Sequence, residues 1–224
     1  MDASPAKLTT RQRHALAGMG IDVWMPVEEP EAPDMPVAPA WTDLQAEVAG
    51  CHRCALSESR RQTVFGVGNS AARWMLIGEA PGAEEDRQGE PFVGRGGQLL
   101  NEMLRAAGVG REQVYIANIL KCRPPDNRDP QAEEISACAD YLARQVALVQ
   151  PGLILAVGRI SAQSLLDTKA AVGRLRGQVH HYGEQNIPLV VTYHPAYLLR
   201  SPAQKPKAWD DLCLARSVLE PGAP

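Results

Sequence analysis

No stretch of this 224-residue chain approaches the roughly eighteen consecutive apolar residues that a membrane-crossing helix needs, which excludes a bilayer span. Met1 to Thr10 holds no apolar core ahead of a small-residue cleavage site, so a secretory leader is not expected and the reducing cytoplasm is the expected compartment. The chain has neither the Gly-Lys-Ser/Thr of a P-loop nor a dinucleotide-binding glycine fingerprint, and no internal repeat is visible. A formal charge of −3 gives no overall basic excess of the kind that marks a nucleic-acid-binding domain. What is present is the composition of an ordinary globular protein, 45% hydrophobic and 22% charged, long enough for one α/β domain with a segment to spare.

The net charge hides a segregation along the chain. Residues 141–209 carry 8 basic and 2 acidic groups. A local basic footprint ending in Arg200, Lys205 and Lys207 can therefore exist on a chain that is acidic in sum, and phosphate binding follows the local field. A solvated face without a partner is the competing reading.

Five of the 18 prolines lie between Pro26 and Pro39, interleaved with Glu28, Glu29, Glu31 and Asp34. Such a stretch stays extended and unpacked. It divides the chain into a short amphipathic segment at 1–25, a Pro/acidic linker at 26–40 and a domain at 41–220. In the first segment Thr10 caps a stretch whose apolar edge is Leu16, Met19, Ile21 and Trp24. That edge either docks back on the domain or meets another protein.

From Trp41 onward, apolar runs of strand length alternate with amphipathic helical stretches. Strands are expected at Trp74–Gly78, Val114–Asn118, Leu153–Val157 and Leu189–Thr192; helices at Gly97–Ala107, Gln131–Gln150, Ser161–Leu166 and Lys207–Leu219. Strands that read as continuous apolar runs are buried on both faces, so the expected fold is a three-layer α/β/α sandwich around a mainly parallel four-stranded sheet. Ligands of such folds bind beyond the carboxyl ends of the strands. Polar groups fall there: Glu79 after the first strand, Asn118 at the end of the second, Gly158-Arg159 after the third and His194 after the fourth.

Four of the five cysteines read as a site, Cys51-x2-Cys54 with Cys122 and Cys138, whereas Cys213 reads as helix packing. An x2 pair can grip one metal centre. Zinc ribbons supply a second close pair, which the spacing from Cys122 to Cys138 does not, so an iron–sulfur cluster is favoured over zinc. Unligated or redox-active thiols stay open, and disulfides do not suit the compartment.

Gly78-Glu79-Ala80-Pro81-Gly82 turns sharply out of a strand, and a loop carrying Phe92 among glycines follows. That ring either stacks a planar ligand or anchors the loop. Asn118 offers an acceptor and a donor side by side to an amide-like edge such as a pyrimidine presents, or it caps the following turn. His194 stands on a proline turn ahead of Leu198, Leu199 and Arg200, where a structural histidine is the plainer reading.

Together, GEAPGAEEDRQGEPFVGRGGQLL at 78–100, NILKCRPPDNRDP at 118–130, the four cysteines and YHPAYLLRSP at 193–202 resemble one family closely. It is that of the family 4, iron–sulfur uracil-DNA glycosylases of bacteria and archaea, matched from about Leu44 to Leu214. The resemblance implies a uracil-DNA glycosylase-like fold, a [4Fe-4S] cluster on Cys51, Cys54, Cys122 and Cys138, and hydrolysis of the N-glycosidic bond of flipped deoxyuridine in DNA. It implies that Phe92 stacks on uracil, that Asn118 reads its N3 and O4 edge, and that Glu85 stands near C5 against the thymine methyl. His194, alongside backbone N–H groups of the 79–82 turn, would donate to the anion of the departing base. Ala80 occupies the slot where better-known uracil glycosylases carry a water-positioning Asp, so the resemblance assigns no general base, and Glu79 would orient either the turn or the water through its carboxylate. Arg159, Leu198, Leu199 and Arg200 would contact DNA, the leucines either holding the gap left by the flipped nucleotide or starting a helix that packs on the core, and the cluster would act as a staple and aim Lys121 and Arg123 at phosphate. The enzyme is expected to act as a monomer on uracil-containing DNA, with no membrane contact.

Residues 9–24 separately resemble the N-terminal peptide of the clamp-loader psi subunit, which implies a contact with clamp-loader subunits. Two alternatives to the glycosylase stand beside it. One is a covalent uracil-trapping relative, whose His-bearing insertion after the PFVG loop is missing here because Gly94-Arg95-Gly96-Gly97 runs straight into a helix. The other is a non-catalytic iron–sulfur DNA-binding or scaffold protein.

Overall fold

A computed structural model describes Met19 and residues 39–220. The proposed clamp-loader segment and most of the linker lie outside the described residues. In the unit that runs from Asp34 onward, helices α1 (Pro39–Ala49) and α2 (Leu56–Ser59) precede strands β1 (Val67–Gly68) and β2 (Trp74–Gly78). Helices α3 (Ala83–Gln88) and α4 (Arg95–Ala106) lead to β3 (Val114–Asn118), then α5 (Ala132–Val149), β4 (Leu153–Val157), α6 (Arg159–Leu165) and α7 (Val172–Leu175). Strands β5 (Val179–Tyr182) and β6 (Ile187–Thr192) and helices α8 (Pro195–Arg200) and α9 (Lys205–Leu219) complete it. No described helix is long and apolar enough to cross a membrane.

The sheet has six strands in the order β1-β3-β2-β4-β6-β5. The four expected strands form its parallel centre, and two short antiparallel strands close the edges. The four-strand expectation is corrected for a physical reason. β1 has two residues, and β5 alternates exposed and half-buried positions, so neither carries the apolar run that announces a central strand. Every residue of β2, β3 and β4 is buried.

Alternate residues of the central strands feed two cores. Met75, Ile77, Tyr115, Ile154 and Val191 face one side with Leu44 and Val48 of α1 and Tyr141, Leu142 and Val146 of α5. Trp74, Leu76, Ile116, Leu155 and Val190 face the other with Leu100 and Leu104 of α4 and Leu212 and Ala215 of α9. Helical spacing explains the partners: Gly97, Leu100 and Leu104 share one buried face of α4, as Cys138, Tyr141, Leu142, Gln145 and Val149 share one of α5. Connections run from β2 outward to β3 on one side and through β4 to β6 on the other. The switch between β2 and β4 opens a crevice at the carboxyl ends.

One buried ion pair ties α9 to the chain after α7. Arg176 Nη2 lies 2.9 Å from Asp211 Oδ1 and its Nε donates to Oδ2 at 3.1 Å, with the Asp211 side chain fully buried. Burial pushes the Asp211 carboxyl above its ordinary range and Arg176 opposes that shift. Arg176→Leu should cost ~3–5 kcal/mol in urea unfolding because it strands a buried carboxylate, and adding Asp211→Leu should recover most of the loss.

Candidate active site

Four strand ends build one cavity of about 800 Å³ whose lining includes Glu79, Ala80, Glu85, Phe92, Asn118, Arg159, His194 and Arg200. Its floor depends on close backbone approach. β2 and β3 pair in register with Gly78 opposite Asn118. A Cβ on Gly78 would lie 2.4 Å from Asn118 Oδ1 and 2.7 Å from Phe92 Cε2, so only glycine lets the amide and the ring share this floor. Asn118 is buried, and among the described residues no side chain or backbone group engages its amide, although its main-chain carbonyl accepts from Lys121 Nζ at 2.8 Å.

Phe92 and His194 stack with ring centroids 5.6 Å apart and planes inclined by 28°. At that separation no third ring fits between them. The imidazole is held from below by Gly158, whose φ of +95° suits glycine and where a Cβ would come within 3.0 Å of His194 Cβ. His194 caps α8, its Nδ1 accepting from the Ala196 N–H at 3.1 Å. That bond sets the tautomer: Nε2 carries the proton and is left to donate. Burial pulls the pKa of His194 from 6.5 to about 4, with Arg200 adding to the fall and Glu85 opposing it. At neutral pH the group is an uncharged donor.

The two glutamates divide their work. Glu85 Oε2 accepts from Gly82 N–H, and its Oε1 accepts from Val93 and Gly94 N–H, all at 3.1 Å. It thereby ties the turn after β2 to the Phe92 loop. Glu79 makes no side-chain hydrogen bond among the described residues. Its carboxyl is pushed up chiefly by burial and then by Asp129, against a smaller pull from Arg159.

At the rim Arg159 pairs with Asp129 at 2.6 Å, both side chains largely in solvent. Leu199 is 39% exposed. Leu198 is 1% exposed and belongs to the core, which corrects its assignment to DNA: α8 turns it inward together with Pro195 and leaves Tyr197 and Leu199 outward. Lys121 is also corrected. It is buried, with Nζ donating to Asn118 O at 2.8 Å and Gln145 Oε1 at 2.6 Å, so its side chain is engaged inside the domain.

Cys138 lies in α5, and none of the four cysteines lines the cavity. Cys122 and Cys138 are buried while Cys51 and Cys54 are half-buried and pack on the same core. All are free thiols. Arg60 bridges them, Nη1 donating to Cys122 Sγ at 3.0 Å and Nη2 to Cys51 O at 2.6 Å. Burial pushes the Cys122 thiol up to about 11, with Arg60 drawing it back and Cys138 and Cys54 adding to the rise. Among the described residues no three Cys, His, Asp or Glu side chains gather closely enough to hold a metal ion.

The Uracil DNA glycosylase superfamily matches the chain over residues 65–213. A type-4 uracil-DNA glycosylase of Archaeoglobus fulgidus is 43% identical over 166 residues, covering 71% of this chain and 83% of the relative. The chain belongs to the type-4 uracil-DNA glycosylase family. Type-4 relatives from Pyrobaculum aerophilum, 40% identical over 76% of this chain and 90% of theirs, and from Thermotoga maritima, 43% identical over 70% and 82%, agree.

For this type-4 member, sequence reasoning missed several groups on the cavity wall: Tyr193 and Tyr197, with centroids 5.1 Å apart, and Arg95, Arg128 and Asp129. The tyrosines flank His194 in the 193–202 motif and were legible there. Because His194 is buried uncharged, its contribution to stability is complete above pH ~6.5 and falls as the pH drops toward about 4, where the native state also takes up the proton. Urea unfolding of the wild type should therefore lose more stability between pH 7 and 4.5 than His194→Gln does. Parallel curves would show that the imidazole takes up its proton as readily in the native state as in the unfolded chain.

Proposed function

We propose that this chain removes uracil from DNA in base excision repair, hydrolysing the N-glycosidic bond of a flipped deoxyuridine to release uracil and leave an abasic site. The observation that carries the reading is the convergence of the Asn118 amide, the Phe92 ring and the His194 imidazole on one cavity. A duplex hides the glycosidic bond, so the nucleotide has to leave the stack and be read in a pocket. Asn118 accepts from N3–H and donates to O4, a pattern that cytosine presents in reverse. Phe92 stacks on the ring. Glu85, with its carboxylate oxygens bonded to three backbone N–H groups, makes a wall that does not yield to the C5 methyl of thymine.

Bond cleavage leaves negative charge on uracil O2. Neutral His194 Nε2–H, oriented in advance through Nδ1, donates to that oxygen as charge develops, worth ~3–4 kcal/mol of barrier for one such donor. Glu79, its carboxylate unengaged beside the small Ala80, orients the water. Beyond the uracil-reading groups, Leu199 fills the vacated stack, and Arg200 and Arg159 at the cavity rim meet phosphate, the latter exchanging Asp129 for the DNA. The work is done in the cytoplasm, where thiols stay reduced.

The chemistry of the cysteine set supports a [4Fe-4S] cluster: four thiols, two from the start of the domain and two from the β3–α5 region, with the Arg60 guanidinium beside Cys122 to balance a cluster's negative charge. Cys51, Cys54, Cys122 and Cys138 would hold it. Bound, it supplies a cross-link between the α1–α2 segment and α5.

Oligonucleotides with U:G, U:A and single-stranded uracil test the reaction. Free uracil and an abasic site are expected, with His194→Ala slower by about ten- to a thousandfold in single turnover. Binding without release, or a covalent protein–DNA adduct, overturns the hydrolytic reading. Iron and acid-labile sulfide should each approach about four per chain and collapse in Cys138→Ala.

A further inference from the structure

Phe92 pays for its position with backbone strain. Its φ is +54°, and among the described residues it is the one aromatic side chain in the left-handed region, the other non-glycine cases being Asp, Asn and Gln. A bulky residue there is an outlier that persists only where its surroundings over-determine it. Gly97 opens the space: a Cβ at that position would lie 1.7 Å from Phe92 O.

What holds the strained residue is Arg111, in the short turn Arg111–Gln113 that leads into β3. Its Nη2 donates to Pro91 O at 2.6 Å, and its Nη1 reaches Phe92 O at 3.4 Å and Asn101 Oδ1 of α4 at 2.9 Å. The carbonyl of Pro91 belongs to the peptide plane before Phe92 and the carbonyl of Phe92 to the plane after it. The φ and ψ of Phe92 are the rotations between those two planes, so one rigid fork that grips both carbonyls sets both angles. Glu85 holds the second plane from its other edge through Val93 N–H. All the acceptors of Arg111 are neutral, and Glu90 acts on it only at a distance while burial disfavours its charge. A guanidinium spent in this way is costly for mere packing.

We propose that Arg111 is a positioning residue for the uracil site, acting through Phe92 to aim the stacking ring. The proposal rests on the stacking role given to Phe92 above.

The test is a double-mutant cycle on the full chain, read by single-turnover excision and by inhibition with free uracil. Arg111→Met should slow excision about ten- to a hundredfold, as expected for a misplaced binding group, and weaken inhibition by free uracil to a similar degree. On a Phe92→Ala background the same substitution should add little, since residues that act as a unit are not additive. Arg111→Lys, which keeps the charge and loses the fork, should behave like Arg111→Met and serves in its place should the methionine variant not fold. A penalty that repeats in full on Phe92→Ala overturns the proposal alone. Wild-type excision by Phe92→Ala removes the stacking role and the proposal together.

Discussion

The site depends on how closely two backbones approach at the end of the sheet. Gly78 and Asn118 face each other across neighbouring parallel strands, and the missing side chain of Gly78 leaves the volume that the Asn118 amide and the Phe92 ring occupy together. Parallel strands buried on both faces cannot slip register without moving large apolar areas out of their cores. The position of the amide is thus secured by residues far from it, such as Leu76, Ile116 and Leu155, which never touch a ligand.

Around that floor the protein uses polar groups as braces rather than as exposed reagents. Glu85 joins two loops, Arg111 joins a loop to a helix and a strand entry, and the Gln145 amide links the Lys121 ammonium to Phe65 O and Tyr115 OH. Each satisfies buried carbonyl or N–H groups that irregular backbone leaves over. The cost is carried by buried charge, and the result is a cavity whose wall loops are tied to one another. His194 fits this pattern: one ring nitrogen is committed to the backbone and the other is left uncharged and donating.

Much of this was legible in the chain, for identifiable reasons. The central strands β2, β3 and β4 announce themselves because full burial demands unbroken apolar runs. Asn118, Phe92, His194 and the cysteines stand out because their residue types are unusual at strand ends and in glycine loops. The edge strands β1 and β5 escaped because half-exposed strands need no such run. Leu198 was misread because a six-residue helix offers too few turns to reveal its phase; Lys121 because a lysine is normally solvated, and only the buried carbonyls beside it reveal why this one is not.

The sequence by itself determined the order of the four central strands and of helices α4, α5, α6 and α9, the layered architecture and the residue types available at each central strand end, since these follow from local periodicity and burial. Only the tertiary structure decided that Arg111 grips carbonyls nineteen or twenty residues away on either side of Phe92, that Glu85 serves three backbone donors, and that His194 Nδ1 accepts from the backbone. Those facts depend on distances between segments remote along the chain, and local pattern carries no information about which nitrogen meets which oxygen.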